Sequence, residues 1–177
     1  MYDIYSSSKN DKWRYTLGKS GTRHLITIGL NPSTAVKEKS DTTVAKVEKV
    51  ALNNGFDGFI MLNLYPVRAT KYQSLEQTPD REAFQTNLRA IDEIVSKEEK
   101  PFIWAAWGES VLSRSFFVES IQELFKRLNH FNPSWNQFGS LTASGHPRHP
   151  SRLNYSWQFS LLDLQKYTDL LSSKGGS

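Results

Sequence analysis

The sequence predicts an α/β protein, a three-layer α/β/α sandwich around a central, mostly parallel sheet of four strands. Apolar runs of strand length alternate with segments of helical period four times along the chain. Hydrophobic residues make up 38% and aromatic residues 12% of the 177 residues, which is typical of a globular chain. No repeat or low-complexity block precedes the polar C-terminal tail. We therefore expect a single domain over 1–171 and a disordered tail over 172–177.

The predicted sheet strands are apolar runs that end on glycine, proline or polar residues. Runs of this kind are typical of buried strands. A further short strand at the edge of the sheet is predicted for residues 12–19. The four sheet strands are predicted at 24–30, 58–67 (ending near Asn63), 100–108 and 139–153, the last continuing into a loop.

A segment with helical period follows each of these strands. Asp41 is predicted to cap the first helix and Gly55 to close it. Pro79 and Asp80 indicate the start of the second helix. The four predicted helices span 42–55, 78–99, 109–129 and 160–171.

The composition excludes several classes of protein and site. The chain has no cysteine, which excludes disulfides, thiolate nucleophiles and cysteine-based zinc sites. It has no apolar run of the roughly 18 residues that a membrane span needs, and no signal peptide is evident at the N-terminus. We therefore expect a cytoplasmic protein without a membrane partner, and a monomer.

The charge is mildly basic, with 22 Lys and Arg against 18 Asp and Glu and an isoelectric point near 9.2. Such a balance is a weak indication of polyanion binding, because many enzymes share it. The basic side chains of interest are Lys37, Lys39, Lys46, Lys49, Arg148 and Arg152. A solvated helix face explains most of the lysines equally well.

Polar and turn-forming residues stand where the predicted strands end. In α/β sheets, ligands bind beyond the carboxyl ends of the strands. The first such end is Asn31-Pro32-Ser33, where the amide can position a water or substrate group beside a small serine. An ordinary Asn-Pro turn that leads to a capped helix explains the same residues.

The next two strand ends carry Asn63 and Trp107-Gly108. Asn63 lies inside the run "FIMLNLYP", so its amide must find hydrogen-bond partners, either in a neighbouring loop or on the edge of a bound heterocycle. Trp107 either borders a ligand or packs at the end of its strand, and packing is the commoner role. Gly108 allows the turn into the helix that follows.

The fourth end, "SGHPRHPSRL", concentrates groups that bind phosphate or move protons. Arginines and hydroxyls are usual phosphate ligands, and an imidazole can stabilise an anion or transfer a proton. No third histidine or carboxylate lies close to the His-x-x-His spacing, and two prolines break helical geometry, so we expect no metal here. The residues concerned are Ser144, His146, Arg148, His149, Ser151 and Arg152.

Taken in order, these four strand ends resemble the uracil-DNA glycosylase superfamily. "IGLNPS" resembles the first motif of the mismatch-type enzymes, and "MLNLYP" resembles the strand whose asparagine binds the base. "FIWAAWGESV" resembles the family's apolar strand ahead of a helix, and "HPSRL" resembles its second motif. The chain also resembles a smaller bacterial and phage family of unassigned function with the same layout. The likeness extends from Ile26 to Leu153.

The resemblance implies a DNA glycosylase of that fold, with no cofactor and with DNA, as a duplex with a flipped base or as a single strand, for partner. Asn31 would position the attacking water and Asn63 would hydrogen-bond the base. His149 would stabilise the leaving base, although His146 competes for that role. Leu153 would fill the space that the extruded nucleotide leaves. Pro32, Ser33 and Trp107 would border the base, and Ser144, Arg148, Ser151 and Arg152 would contact DNA.

Two departures from the family suggest a particular substrate. The most active uracil enzymes carry an aspartate at the place of Asn31 and a tyrosine at the place of Ser33. That tyrosine blocks pyrimidines with a 5-substituent, so by this resemblance Ser33 implies a cavity for a 5-substituted pyrimidine, such as a hypermodified phage base. Such an enzyme would serve antiphage defence or base-excision repair. A non-catalytic nucleic-acid-binding module and a hydrolase of free nucleosides or nucleotides remain open as alternatives.

Overall fold

A computed structural model describes residues 1–174 and has a mixed sheet of seven strands at its centre. The strands are β1 Ile4–Ser7, β2 Arg14–Lys19, β3 His24–Gly29, β4 Gly58–Asn63, β5 Phe102–Ala105, β6 Ser134–Phe138 and β7 Phe159–Leu161. Their order across the sheet is β1-β2-β4-β3-β5-β6-β7. The four strands β4, β3, β5 and β6 pair in parallel, whereas β1, β2 and β7 pair antiparallel with their neighbours.

Four α-helices cover the two faces of this sheet. They are α1 Thr42–Asn53, α2 Arg81–Val95, α3 Ser115–Leu128 and α4 Leu164–Lys174. The helix α1 lies on one face, and α2, α3 and α4 lie on the other. Among residues 1–174, no helix combines the length and the apolar character that crossing a bilayer requires.

The alternation of side chains along β3 shows how the sheet divides the core. Leu25 faces α1 and packs in a cluster with Val47 and Phe59. Ile26 and Ile28 point to the opposite face, where they join the apolar sides of α2 and α3. Burial of both faces explains why β3 and β4 are continuous apolar runs in the sequence.

The predicted four-stranded, mostly parallel sheet is wrong, although the α/β class is consistent with the structure. The sheet has seven strands, and three of its six pairings are antiparallel. The sequences "IYSS" of β1 and "FSL" of β7 are too short and too polar to give a strand signal. β2 lies between β1 and β4, not at the edge, because the antiparallel β1 covers it.

The strand predicted at 139–153 is also wrong. The fourth parallel strand is β6, "SWNQF", whose polar residues hide its strand character, and the chain from 139 to 149 is a loop. The helix predicted at 109–129 begins later, because residues 109–113 form a 3-10 turn ahead of α3. The tail predicted at 172–177 begins within the last turn of α4, and residues 175–177 lie outside the described part of the chain.

Two predicted caps are confirmed. Asp41 accepts a hydrogen bond from the backbone N–H of Val44 (2.9 Å) and starts α1. Asp80 does the same for Ala83 (3.0 Å) at the start of α2. The cap at Asp41 fixes the start of α1 after the segment 30–41 that follows β3, at the edge of the sheet where the site lies.

Candidate functional site

A cavity of about 910 Å³ lies at the carboxyl ends of the parallel strands β3, β4 and β5. Its size is near the top of the range of roughly 300–1,000 Å³ that holds small-molecule ligands in proteins. Eight residues that the sequence singled out line it: Asn31, Ser33, Asn63, Trp107, Arg148, His149, Ser151 and Arg152. The structure thus brings three strand ends and the "HPSR" loop to one place.

Asn31 follows β3 and holds its amide in a defined orientation. Its Nδ2 donates to the backbone oxygens of Ala69 (2.9 Å) and Pro32 (3.1 Å). Because both partners are acceptors, the amide NH₂ must face them. The Oδ1 atom of Asn31 is then the amide atom left to accept a hydrogen bond from a molecule in the cavity.

Asn63 ends β4 and is 1% exposed, yet neither amide atom has a partner within residues 1–174. A buried polar atom without a hydrogen bond costs about 1–3 kcal/mol, so this amide is poised for a partner from outside the protein. The register pairs Asn63 with Gly29 of β3. A Cβ at Gly29 would lie 2.9 Å from Oδ1 of Asn63, so the glycine makes room for the amide.

His149 is the histidine that lines the cavity. Its Nδ1 accepts the backbone N–H of Ser151 (3.1 Å) and lies 2.8 Å from the Ser151 hydroxyl. A ring whose Nδ1 accepts carries its proton on Nε2 when neutral. Burial lowers the pKa of His149 to about 4, so the ring is neutral at pH 7 and presents an N–H donor.

Gly108 positions His149 against the end of β5. Its φ of +77° belongs to the left-handed region, and an added Cβ would lie 3.0 Å from Cβ of His149. Its backbone N–H donates to the oxygen of Pro147 (3.1 Å), which ties the histidine loop to the strand end. The glycine therefore serves the close approach of the loop as well as the turn predicted for it.

His146 does not line the cavity. It is 1% exposed, and its Nδ1 lies 3.0 Å from the hydroxyl of Tyr167 on α4. Trp107 donates its indole N–H to the same hydroxyl (2.8 Å), so Trp107 forms cavity wall but offers no free donor to a ligand. The geometry selects His149 over His146 for any role that needs contact with a bound molecule.

The other predicted base neighbours divide between wall and support. Ser33 lines the cavity and also a smaller one of about 380 Å³ on its other side. Pro32 is buried behind the wall and does not line the larger cavity. The backbone oxygen of Ser33 accepts from Nη1 of Arg68 (2.9 Å), which holds the turn in place.

Of the five predicted DNA-contact residues, three line the cavity at its opening, which we call the mouth, and two do not. The three are Arg148, Ser151 and Arg152, and the exceptions are Ser144 and Leu153. Arg152 is exposed there, while Arg148 donates from Nε to the backbone oxygen of Ser140 (2.8 Å). Ser144 lies outside the lining and hydrogen-bonds Glu109. Leu153 is half-buried against the apolar cluster under α1, so it does not project from the surface as a wedge would.

Sequence reasoning missed three charged residues of the cavity, Arg14, Lys71 and Glu109. Glu109 follows Trp107-Gly108 directly, so the rule that selected the strand ends would have found it. Hydrogen bonds from Ser144 and Thr142 lower the pKa of Glu109, which keeps the carboxylate ionised. Arg14 begins the strand β2, "RYTLGK", which also ends on a cation, so the sequence does not distinguish it from an exposed strand-end residue.

The fold and the cavity define an α/β protein with a polar binding site at the carboxyl edge of its parallel strands. Residues 14–151 match the model of the family described as "Protein of unknown function (DUF1643)", and the chain belongs to that family. Comparison with curated proteins and with solved structures gave no match. The matched span includes β2 to β6 and every residue of the cavity lining except Arg152.

Proposed function

We propose that this protein is an N-glycosylase that hydrolyses the bond between a deoxyribose and a 5-substituted pyrimidine extruded from DNA. The observation that supports the proposal is the convergence of Asn31, Asn63 and His149 on one cavity. Each presents a different hydrogen-bonding capacity: an oriented acceptor, an unpartnered amide and a neutral imidazole donor. Hydrolysis of an N-glycosidic bond needs these three kinds of group.

His149 and Asn31 supply opposite parts of the chemistry. As the bond to the base breaks, negative charge develops on the base and positive charge on the sugar. The Nε2–H of His149 donates to the base and stabilises the anion without a proton transfer, since the neutral ring is its ground state. Oδ1 of Asn31 accepts a hydrogen bond from the attacking water and orients it toward the sugar. As the water oxygen bonds to the sugar it loses a proton to solvent, and the released base anion takes up a proton from solvent, so the step balances.

Asn63 recognises the base itself. Its amide offers one donor and one acceptor, which matches the alternating donor and acceptor edge of a pyrimidine. Base binding would give partners to both amide atoms, which have none among residues 1–174. Ser33 leaves the neighbouring wall open, so a base with a bulky 5-substituent fits a cavity of about 910 Å³ better than uracil does.

A hydrolase of free nucleosides or nucleotides is the second candidate, and the burial of Leu153 favours it. A leucine packed against the cluster under α1 is not available to fill a gap in duplex DNA. The choice of substrate separates the two candidates. The first predicts base release from DNA, whereas the second predicts release from free nucleosides or nucleotides and none from DNA.

Base release followed by mass spectrometry tests the proposal. The substrates are duplexes and single strands that carry uracil, 5-hydroxymethylcytosine or its glucosylated form, and the corresponding nucleosides. We expect release of a 5-substituted base by the wild-type protein, and a loss of at least about 100-fold for Asn31→Ala and His149→Ala. Asn129→Ala, on the exposed turn after α3, is the matched control and should retain full activity.

Two results would contradict the proposal in different ways. Efficient cleavage of uracil-containing duplex with no action on the 5-substituted bases would overturn the substrate class. Salt-dependent DNA binding without release of any base would indicate the non-catalytic module instead. Circular dichroism of each variant confirms that a loss of activity does not arise from unfolding.

A further inference from the structure

Arg14 is a buried cation in the wall of the cavity. It begins β2 beside the carboxyl end of β4, where its backbone N–H donates to the oxygen of Pro66 (2.9 Å). The side chain is 2% exposed, and its Nη1 donates to the backbone oxygen of Ala35 (3.0 Å). Its Nε has no hydrogen-bond partner within residues 1–174.

No carboxylate of the described residues lies within ion-pair distance of Arg14. The neighbouring Arg68 is paired with Asp11 (3.1 Å) and donates to the same Ala35 oxygen (2.9 Å). The Asp41 carboxylate accepts the backbone N–H groups of Val44 and Ala35. Burial and the charge of Arg68 lower the pKa of Arg14 to about 10, although the charges of Asp41 and Asp11 act in the opposite direction without ion-pair contact, so Arg14 remains a cation at pH 7.

Arg114 shows what a structural arginine looks like in this fold. It is also buried, but all three of its guanidinium nitrogens donate to backbone oxygens. Nε and Nη2 bond to the loop ahead of α2 and hold it in place, and Nη1 bonds to Ser113. It does not line the cavity. Arg14 lies against the cavity and keeps unused donor capacity, and a buried charge without a counter-ion is costly. That contrast indicates that the counter-ion of Arg14 comes with the ligand.

We propose that Arg14 is a specificity residue that binds an anionic substituent of the base held at Asn63. This inference rests on the proposed function, because it assumes a pyrimidine in the cavity. The guanidinium fork matches a carboxylate or phosphate group. Arg14 donates to the backbone oxygen of Ala35, two residues beyond Ser33, and both Arg14 and Ser33 line the same cavity.

A phosphate of the DNA backbone is not the expected anion. A surface phosphate would meet the exposed cations at the mouth, Arg152 and Lys71, before a side chain that is 2% exposed. The phosphate of a free nucleotide is the other possible source of a negative charge. The experiment therefore includes one pair of ligands for each source.

Isothermal titration calorimetry with free ligands tests the subsite without any base release. The first pair is 5-carboxyuracil and 5-hydroxymethyluracil, which are similar in size and differ in charge. We expect the wild-type protein to bind the carboxylate about 10- to 100-fold more tightly, as a charged hydrogen bond in a buried site implies. Arg14→Met should reduce that preference to less than about twofold, and Arg14→Lys, which keeps the charge without the fork, should leave an intermediate preference.

Arg81→Met is the control for loss of a cation. Arg81 is an exposed arginine that pairs with Glu119 (2.7 Å) and does not line the cavity. We expect this variant to retain the preference for 5-carboxyuracil. Circular dichroism checks the fold of each variant, and the comparison within the wild-type protein does not depend on any variant.

Four results with the first ligand pair would overturn the inference. They are no detectable binding of 5-carboxyuracil to the wild-type protein, equal binding of the two bases, an equal weakening of both by Arg14→Met, and loss of the preference in Arg81→Met. The second ligand pair is deoxyuridine and deoxyuridine monophosphate. If Arg14→Met removes a preference for the monophosphate and not for 5-carboxyuracil, the anion is the nucleotide phosphate and the substituent assignment is wrong.

Selective binding of 5-carboxyuracil without base release from any substrate would instead overturn the glycosylase proposal and leave the subsite intact.

Discussion

Replacement of Asn63 by leucine should make the protein more stable and unable to bind its ligand. The side chain is buried, and its Nδ2 and Oδ1 both lack partners among the described residues. Each such atom costs about 1–3 kcal/mol, or roughly 2–6 kcal/mol for the amide as a whole. Leucine removes that cost but is bulkier, and overpacking against Gly29 and Met61 costs about 1–3 kcal/mol.

The net expectation for Asn63→Leu is a gain of about 1–3 kcal/mol in the free energy of unfolding. For a chain of this size, each kcal/mol raises Tm by about 2–4 °C. Urea denaturation and calorimetry of the unliganded protein measure both quantities. The same variant should show no detectable binding of pyrimidine ligands, because it loses the donor and the acceptor that pair with the base.

Ser120→Ala is the matched control for this experiment. Ser120 is also fully buried, but its hydroxyl donates to the backbone oxygen of Leu64 (2.8 Å), one residue beyond Asn63. Its loss should lower the free energy of unfolding by about 1–2 kcal/mol. If Asn63→Leu destabilises the protein as Ser120→Ala does, the amide of Asn63 has partners in the folded protein and the reasoning that assigns it to a ligand is refuted.

Two further predictions concern His149 and Gly108. Nuclear magnetic resonance of the imidazole nitrogens should show an Nε2–H ring with a pKa of about 4, and base release should not decline as the pH falls from 7 to 5. The ordinary pKa of a histidine is 6.5, so as the pH falls the imidazole takes up a proton in the unfolded chain before it does so in the folded chain. The stability that neutral His149 contributes is therefore complete above pH 6.5 and is lost as the pH falls through 4. A titration near 6.5 or an Nδ1–H ring would contradict both statements. Gly108→Ala should lower base release at least about tenfold, because the added Cβ would displace His149. Gly55→Ala is the control: Gly55 has a similar φ of +78°, but no atom lies nearer than 3.9 Å to an added Cβ. That variant should carry only a backbone cost of about 1–2 kcal/mol in the free energy of unfolding. Equal activity of the two glycine variants would show that the contact with His149 is unimportant.

The sequence predicted the parallel centre of the site better than the outer strands. Strands buried on both faces must be continuously apolar, so β3 and β4 are visible as apolar runs, and Asn31 and Asn63 stand out where those runs end. The outermost strands β1 and β7 are short and partly exposed, so no continuous apolar run marks them as strands. The strand β6 was missed for the same reason, since Asn136 and Gln137 break its apolar pattern.

Charge and orientation within the site were harder to predict than position. The burial of Arg14 depends on β4 and on the hydrogen bond to Ala35, both of which are distant from it in sequence. The choice between His146 and His149 depends on which ring meets Tyr167, a contact over 21 residues. Leu153 resembles a surface wedge in sequence, and only the packing of α1 above it shows that it is half-buried.

The hydroxyl of Tyr167 has a practical consequence for truncated versions of this protein. It joins Trp107, which follows β5, to His146 in the loop that carries His149, yet Tyr167 lies on α4, beyond residue 151 where the family match ends. A fragment trimmed to residues 14–151 would keep nearly every residue that lines the cavity and lose the anchor that holds two of its walls together. Expression limited to the recognisable family span would therefore remove this anchor, and a negative assay of such a fragment would say nothing about the function of the longer chain.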